Sequence, residues 1–198
     1  MPWLRGVAQV EGQQTLFVHG AGQGAHAADG ELVARLRQAL GPGHEIHYPA
    51  MPDEHEPDHA KWKQRIIEEM ASMSGPLVLI GHSLGGSVLV KCLAEIEPPR
   101  PIAALVLMAA PMWGGDGWRY DGGEQFEPPH DTAARLPQET PIHVYHCRDD
   151  EVVPFAHLGL YAELLPQATT SAFDEGGHQL HGVEAAVAAD LAKLPAAQ

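Results

Sequence analysis

Short apolar runs alternate along this chain with longer stretches in which apolar positions recur every third or fourth residue. The runs are Thr15-Leu16-Phe17-Val18-His19, Glu45-Ile46-His47-Tyr48, Leu77-Val78-Leu79-Ile80, Ile102 to Met108, Ile142-His143-Val144-Tyr145-His146 and Thr169 to Phe173. Their length, their β-branched and aromatic content and the Gly or Pro beside them predict strands. Leu32, Val33, Leu36 and Leu40 share one helical face, and Gly41-Pro42-Gly43 stops that helix. Trp62, Ile66, Ile67 and Met70 do the same for a helix from about His59 to Met73. Further helices are expected after Ser83 as far as Pro98-Pro99, from about Phe155 to Leu165, and from about Leu180 to Leu194.

Strand and helix thus alternate through the chain, which predicts an α/β fold with a doubly wound, mostly parallel six-stranded sheet and helices on both faces. The unbroken apolar run from Ile102 to Met108 suits a strand buried on both sides. Two stretches fall outside the pattern. Residues 1–14 read as an irregular lead-in, and residues 111–138, rich in Gly, Pro and aromatics, have no helical period. The latter leave the carboxyl end of a strand, the edge where such sheets hold ligands, so a reduced cap or pocket loop is expected there.

Composition narrows the picture. At 198 residues and 44% hydrophobic content the chain suits one domain, 1–198, with a full core. Twelve basic against twenty-six acidic residues give a net charge of -14, which disfavours nucleic acid and membrane partners. Cys92 and Cys147 lie in apolar surroundings and read as reduced, buried thiols. No run reaches membrane-spanning length, and Met1-Pro2-Trp3-Leu4-Arg5-Gly6 has no signal-like apolar core, so a cytoplasmic location is expected.

The chemistry gathers around Gly81-His82-Ser83-Leu84-Gly85, set between a strand and a helix. Gly-x-Ser-x-Gly in that setting is a nucleophile elbow, a strained bend that lifts the serine hydroxyl above the sheet edge. A serine needs a base, and the base needs an acid to hold its tautomer. In such folds these follow in the order Ser, Asp or Glu, His, each after a later strand. Asp150, in Asp150-Glu151-Val152-Val153-Pro154, fits the acid, with Asp149 as a solvated turn residue. His178, after Gly176-Gly177, fits the base, with His181 as a bystander. The oxyanion hole requires two backbone N–H groups, expected from Leu84 and from Ala21 in the loop His19-Gly20-Ala21-Gly22, where Gly22 is the nearest competitor. His82, Trp113 and Trp118 are candidates for contact with substrate. Trp113, Trp118, Tyr120 and Phe126 either form an apolar wall beside Ser83 or simply pack their loop down.

Taken together, the His19-Gly20-Ala21-Gly22, Gly81-to-Gly86, Asp150-to-Pro154 and Gly177-His178 segments resemble the α/β-hydrolase superfamily, and they span nearly the whole chain. The short length, the lack of two leading strands and the Tyr48-Pro49-Ala50-Met51-Pro52 turn are similar to the retinoblastoma-binding serine hydrolase group. The resemblance implies hydrolysis of a small-molecule carboxylic ester or thioester through an acyl-enzyme, without metal or cofactor. A non-catalytic binding protein on the same scaffold is the alternative.

Two motifs compete with this reading. His55-Glu56-Pro57-Asp58-His59 matches the letters of a zinc-protease helix, but Pro57 prevents a regular helix carrying both histidines. Gly20-x-Gly22-x-x-Ala25 matches a dinucleotide-binding fingerprint, and a nucleotide-dependent oxidoreductase would need an acid at the end of the second strand. His47-Tyr48-Pro49 offers none.

Overall fold

A computed structural model describes residues 12–114 and 122–195 of the chain. Strands β1 (Gln13–Val18), β2 (His44–His47), β3 (Leu77–His82), β4 (Ile102–Met108), β5 (Ile142–Cys147) and β6 (Thr169–Phe173) form one sheet in the order β2-β1-β3-β4-β5-β6. Every neighbouring pair is parallel. The helices are α1 (Ala25–Leu40), α2 (His59–Ser72), α3 (Leu84–Glu95), α4 (Thr132–Arg135), α5 (His157–Leu164) and α6 (Glu184–Leu191), so the expected doubly wound α/β sheet is present.

Side chains alternate across a strand, and the core divides accordingly. Leu77 and Leu79 of β3 point into a cluster with Trp62 and Ile66 of α2 and Val88 and Leu89 of α3. Val78 and Ile80 point the other way, against Leu32, Val33 and Leu36 of α1 and Val187 and Leu191 of α6. All six β3 residues are buried. Each fully buried Val, Leu or Ile contributes roughly 1.5–3 kcal/mol, so the strand that carries the serine is held from both faces. The edge strand β6 is polar and largely exposed, and so lacks the apolar run of the central strands.

The sheet order matters for function. From β1 the chain steps outward to β2 and then crosses back to β3 on the other side of β1. The loops after β1 and β3 therefore diverge at a topological switch point, the crevice where open α/β sheets bind ligands. His19-Gly20-Ala21-Gly22 follows β1 and Ser83 follows β3.

Some boundaries differ from expectation. The last helix starts at Glu184, not Leu180, because Leu180 (φ 48°) and Gly182 (φ 85°) are in left-handed conformations that a helix excludes. The fifth helix runs only from His157 to Leu164. Within 111–138, where no helical period is visible, a 3₁₀ turn at Gly123–Phe126 and the single turn of α4 are the regular elements among the described residues. No described helix is long and apolar enough to cross a membrane.

Candidate active site

Ser83 sits between β3 and α3 with φ 50° and ψ -129°, a strained conformation for a side-chain-bearing residue. Its neighbours explain the glycines. A Cβ at Gly81 would lie 2.5 Å from Gly86 Cα, and one at Gly85 would lie 2.2 Å from the Val18 carbonyl oxygen. Neither backbone can retreat, because both belong to the sheet or its first helix turn. The Ser83 N–H donates to the Met108 carbonyl at 2.9 Å, tying the bend to β4.

Asp150 and His178 are brought together from the loops after β5 and β6. His178 Nδ1 lies 3.1 and 3.0 Å from the two Asp150 carboxylate oxygens. A carboxylate accepts, so the proton is on Nδ1 and Nε2 carries the lone pair, the tautomer a general base needs. Asp150 has no exposed side-chain surface. Burial alone opposes its ionisation, but hydrogen bonds from His146 and His178, the His178 charge and the Val153 N–H outweigh it and hold the carboxyl well below the usual range. His146 Nε2 lies 3.0 Å from the Val153 carbonyl and 3.1 Å from Asp150, so its single proton faces two acceptors. Among the described residues, neither the Ser83 hydroxyl nor His178 Nε2 has a hydrogen-bond partner. Such contacts are often long in a free enzyme and tighten with substrate.

Asp149 is exposed, but it does more than solvate a turn. Its carboxylate accepts from the N–H groups of Gly177 at 2.8 Å and Gly176 at 3.2 Å, and so holds the loop that carries His178. His181 is exposed, and its N–H donates to the Gly176 carbonyl at 3.0 Å.

The loop after β1 is fixed atom by atom. The Gly20 N–H donates to Asp29 at 2.9 Å and the Gly22 N–H to the Glu54 carbonyl at 2.7 Å, while the Ala21 N–H between them has no partner among the described residues. His19 Nδ1 donates to the Gly20 carbonyl, and its Nε2 accepts from the Met51 N–H at 2.9 Å. The Gly20 carbonyl and the Ala21 N–H belong to one planar trans peptide, so gripping the first aims the second the opposite way. Burial lowers the His19 pKa, in keeping with a neutral ring that donates once and accepts once. Leu84 opens α3, so its N–H is among those that a helix start leaves unpaired. Of the two N–H groups, that of Gly22 is engaged and that of Ala21 is not, among the described residues.

A cavity of about 290 Å³ opens over these groups, with Ala21, Ser83 and Leu84 on its lining together with Trp113, Phe126 and Val153. The Trp113 and Phe126 rings pack 5.7 Å apart, so these aromatics both line the cavity and anchor their loop. The Pro111 carbonyl accepts from the hydroxyls of Ser87 and Tyr161, and the Met112 N–H donates to His157 at 2.8 Å, which pins the start of that wall. Trp118 and Tyr120 lie outside the described residues. His82 is not brought to the cavity: its side chain is 1% exposed, with Nδ1 on Asp29 and Nε2 on the His178 carbonyl, each at 2.8 Å. It is buried beneath Ser83 and is not among the residues that line the cavity. In the zinc-like segment Asp58 caps α2 through the Lys61 N–H and His59 begins the helix, so His55 lies outside it.

Three supporting residues carried faint or no sequence signal. Asp29 precedes Leu32, Val33 and Leu36 on the same helical face, and an acid on an apolar stripe could have marked it. His146 falls in an ordinary strand run, and nothing separated it from the chain's other histidines. His19 precedes a glycine loop, but its contact with Met51 joins residues far apart in sequence.

A family model described as serine hydrolase matches residues 31–185, most of the chain. The chain belongs to the serine hydrolase family. The match takes in Ser83, Asp150 and His178 but not the Gly20–Gly22 loop or Asp29. Among solved structures, this serine hydrolase is similar to a variant of the meta-cleavage product hydrolase CumD, an enzyme of Pseudomonas fluorescens IP01 (17% identity, 90% of each chain, TM-score 0.73). It is also similar to the ydeN gene product of B. subtilis (17% identity, 90% of this chain and 98% of that one, TM-score 0.69). A third is an esterase of Exiguobacterium antarcticum (15% identity, 92% of each chain, TM-score 0.68). At these identities the likeness is one of fold, that of the α/β hydrolases. No curated protein sequence matches the chain significantly.

Proposed function

We propose that the protein hydrolyses a small-molecule carboxylic ester or thioester through an acyl-enzyme on Ser83. Ser83 Oγ attacks the carbonyl carbon while His178 Nε2 takes its proton, and Asp150 stabilises the imidazolium that forms. The Ala21 and Leu84 N–H groups receive the oxyanion. The intermediate collapses as His178 returns the proton to the departing alcohol or thiol. Water, deprotonated in turn by His178, then releases the acid. The observation that supports this best is the contact of His178 Nδ1 with both Asp150 carboxylate oxygens, which assigns the proton to Nδ1 and the lone pair to Nε2. We read 111–138 as a reduced cap of the single domain, whose Trp113 and Phe126 give the acyl or leaving group an apolar wall. Both cysteines are free and buried, which suits the reducing cytoplasm.

A cavity of about 290 Å³ is at the small end for ligand sites. Aryl esters graded from acetate to long-chain acyl groups test the proposal: turnover that is highest for short chains and absent in Ser83→Ala is expected. Equal turnover by Ser83→Ala would end it, and a preference for long chains would contradict the reading of 111–138.

A further inference from the structure

Beneath the site lie two side chains that take no part in the steps above. His82 Nε2 is 2.8 Å from the His178 carbonyl oxygen, which can only accept, so this nitrogen carries a proton. His82 Nδ1 is 2.8 Å from Asp29 Oδ2. That oxygen also accepts from the Gly20 N–H at 2.9 Å, and Oδ1 accepts from the Gln179 amide at 3.1 Å. A carboxyl surrounded by donors is held ionised, so Nδ1 must carry a proton as well. A neutral ring with its proton on Nε2 would turn a lone pair toward the carboxylate. The side chains are 1% and 3% exposed. The charged groups facing His82 are Asp29 from α1 and, at longer range, Asp150 after β5, with the His178 ring 4.7 Å away.

We propose that Asp29 and His82 form a buried carboxylate–imidazolium pair that positions the hydrolytic site by joining the oxyanion loop to the loop bearing the base. The inference rests on the serine hydrolase reading above. Asp29 grips Gly20, the residue before the oxyanion donor Ala21, and Gln179, the residue after His178. His82 directly precedes the nucleophile and grips the backbone of His178 itself. Loops from β1, β3 and β6 thus meet on two side chains. Burial opposes the charge on His82, yet the Asp29 charge and hydrogen bond raise its pKa overall, while Asp29 is held at about 2 against its own burial. Buried ionic pairs are weak sources of net stability, and their best-attested use is to fix register.

Two measurements on the 198-residue chain test this. In ¹⁵N-histidine-labelled wild type, His82 should keep protons on both ring nitrogens at about pH 8, above the ordinary imidazole pKa of about 6.5. A single ring proton there would overturn the pair. For Asp29→Asn and His82→Gln, turnover of an aryl acetate is measured per active site titrated with a fluorophosphonate. The expected result is a fall in kcat of about 10–100-fold with KM held within about threefold. The double variant should be no worse than the more damaged single one. Variants that lose thermal stability but keep kcat per site within about twofold would reduce the pair to a structural role and refute the positioning claim. A wild type inert to the probe removes the hydrolase reading and this inference with it, whereas a reactive wild type with undamaged variants removes this inference alone.

Discussion

Two aspartate–histidine pairs stand at the carboxyl edge of the same sheet, and their hydrogen bonding suits them to opposite tasks. In Asp150–His178 only Nδ1 is engaged among the described residues, and the histidine side chain is 11% exposed. In Asp29–His82 both ring nitrogens are engaged and the histidine is buried. A histidine with one free nitrogen can move a proton. One with two occupied nitrogens can only hold what it touches. What separates a base from a brace is therefore the second hydrogen bond, since residue type and carboxylate partner are the same in both.

The largest effects should come from removing the open pair or its serine. Ser83→Ala and His178→Ala are each expected to lower kcat by about 10⁶-fold, and the double variant by little more, because the residues act as a unit. Asp150→Asn should lose about 10⁴-fold through the wrong tautomer. Loss from the Asp29 variants as large as from Asp150→Asn would erase the distinction between the pairs. Steady-state kinetics on an aryl acetate measures all of these.

Stability should separate the buried pair from an exposed contact of the same loop system. Asp29→Ala strands a buried cation and is expected to cost about 3–5 kcal/mol in urea unfolding. Asp149→Ala loses two exposed backbone contacts and should cost about 1 kcal/mol.

The pH dependence gives a finer contrast. Asp29 is held at about 2, so its contribution is complete above about pH 4 and is lost as pH falls toward that value. His82 is raised, so its contribution is complete below about pH 6.5 and is lost as pH climbs past the folded value. Unfolding free energy across pH should show a plateau between these limits, and Asp29→Asn should flatten both shoulders.

The legible part of this molecule was whatever rests on local pattern. The glycines at 81 and 85 announce a backbone too close for side chains, and the elbow they flank lies where the strand and helix periods meet. Asp150 and His178 could be placed because each follows a strand in a fixed order, and they do meet. Partners joined across the sheet were not legible. Asp29 reaches His82 over 53 positions and Gln179 over 150, and no spacing rule carries that information. His82 adjoins Ser83 in sequence, but alternation along β3 turns its side chain inward, and nothing local shows that it meets Asp29. The start of α6 is not legible either, because Leu180 is apolar like the helical positions that follow while its backbone is left-handed.

The most direct test of the account is to treat the native protein with a fluorophosphonate and map the adduct by peptide mass. The expected result is a single modification on Ser83, absent from Ser83→Ala and greatly slowed in His178→Ala. Labelling at another residue, or undiminished labelling of Ser83→Ala, would contradict the assignment of Ser83 as the nucleophile.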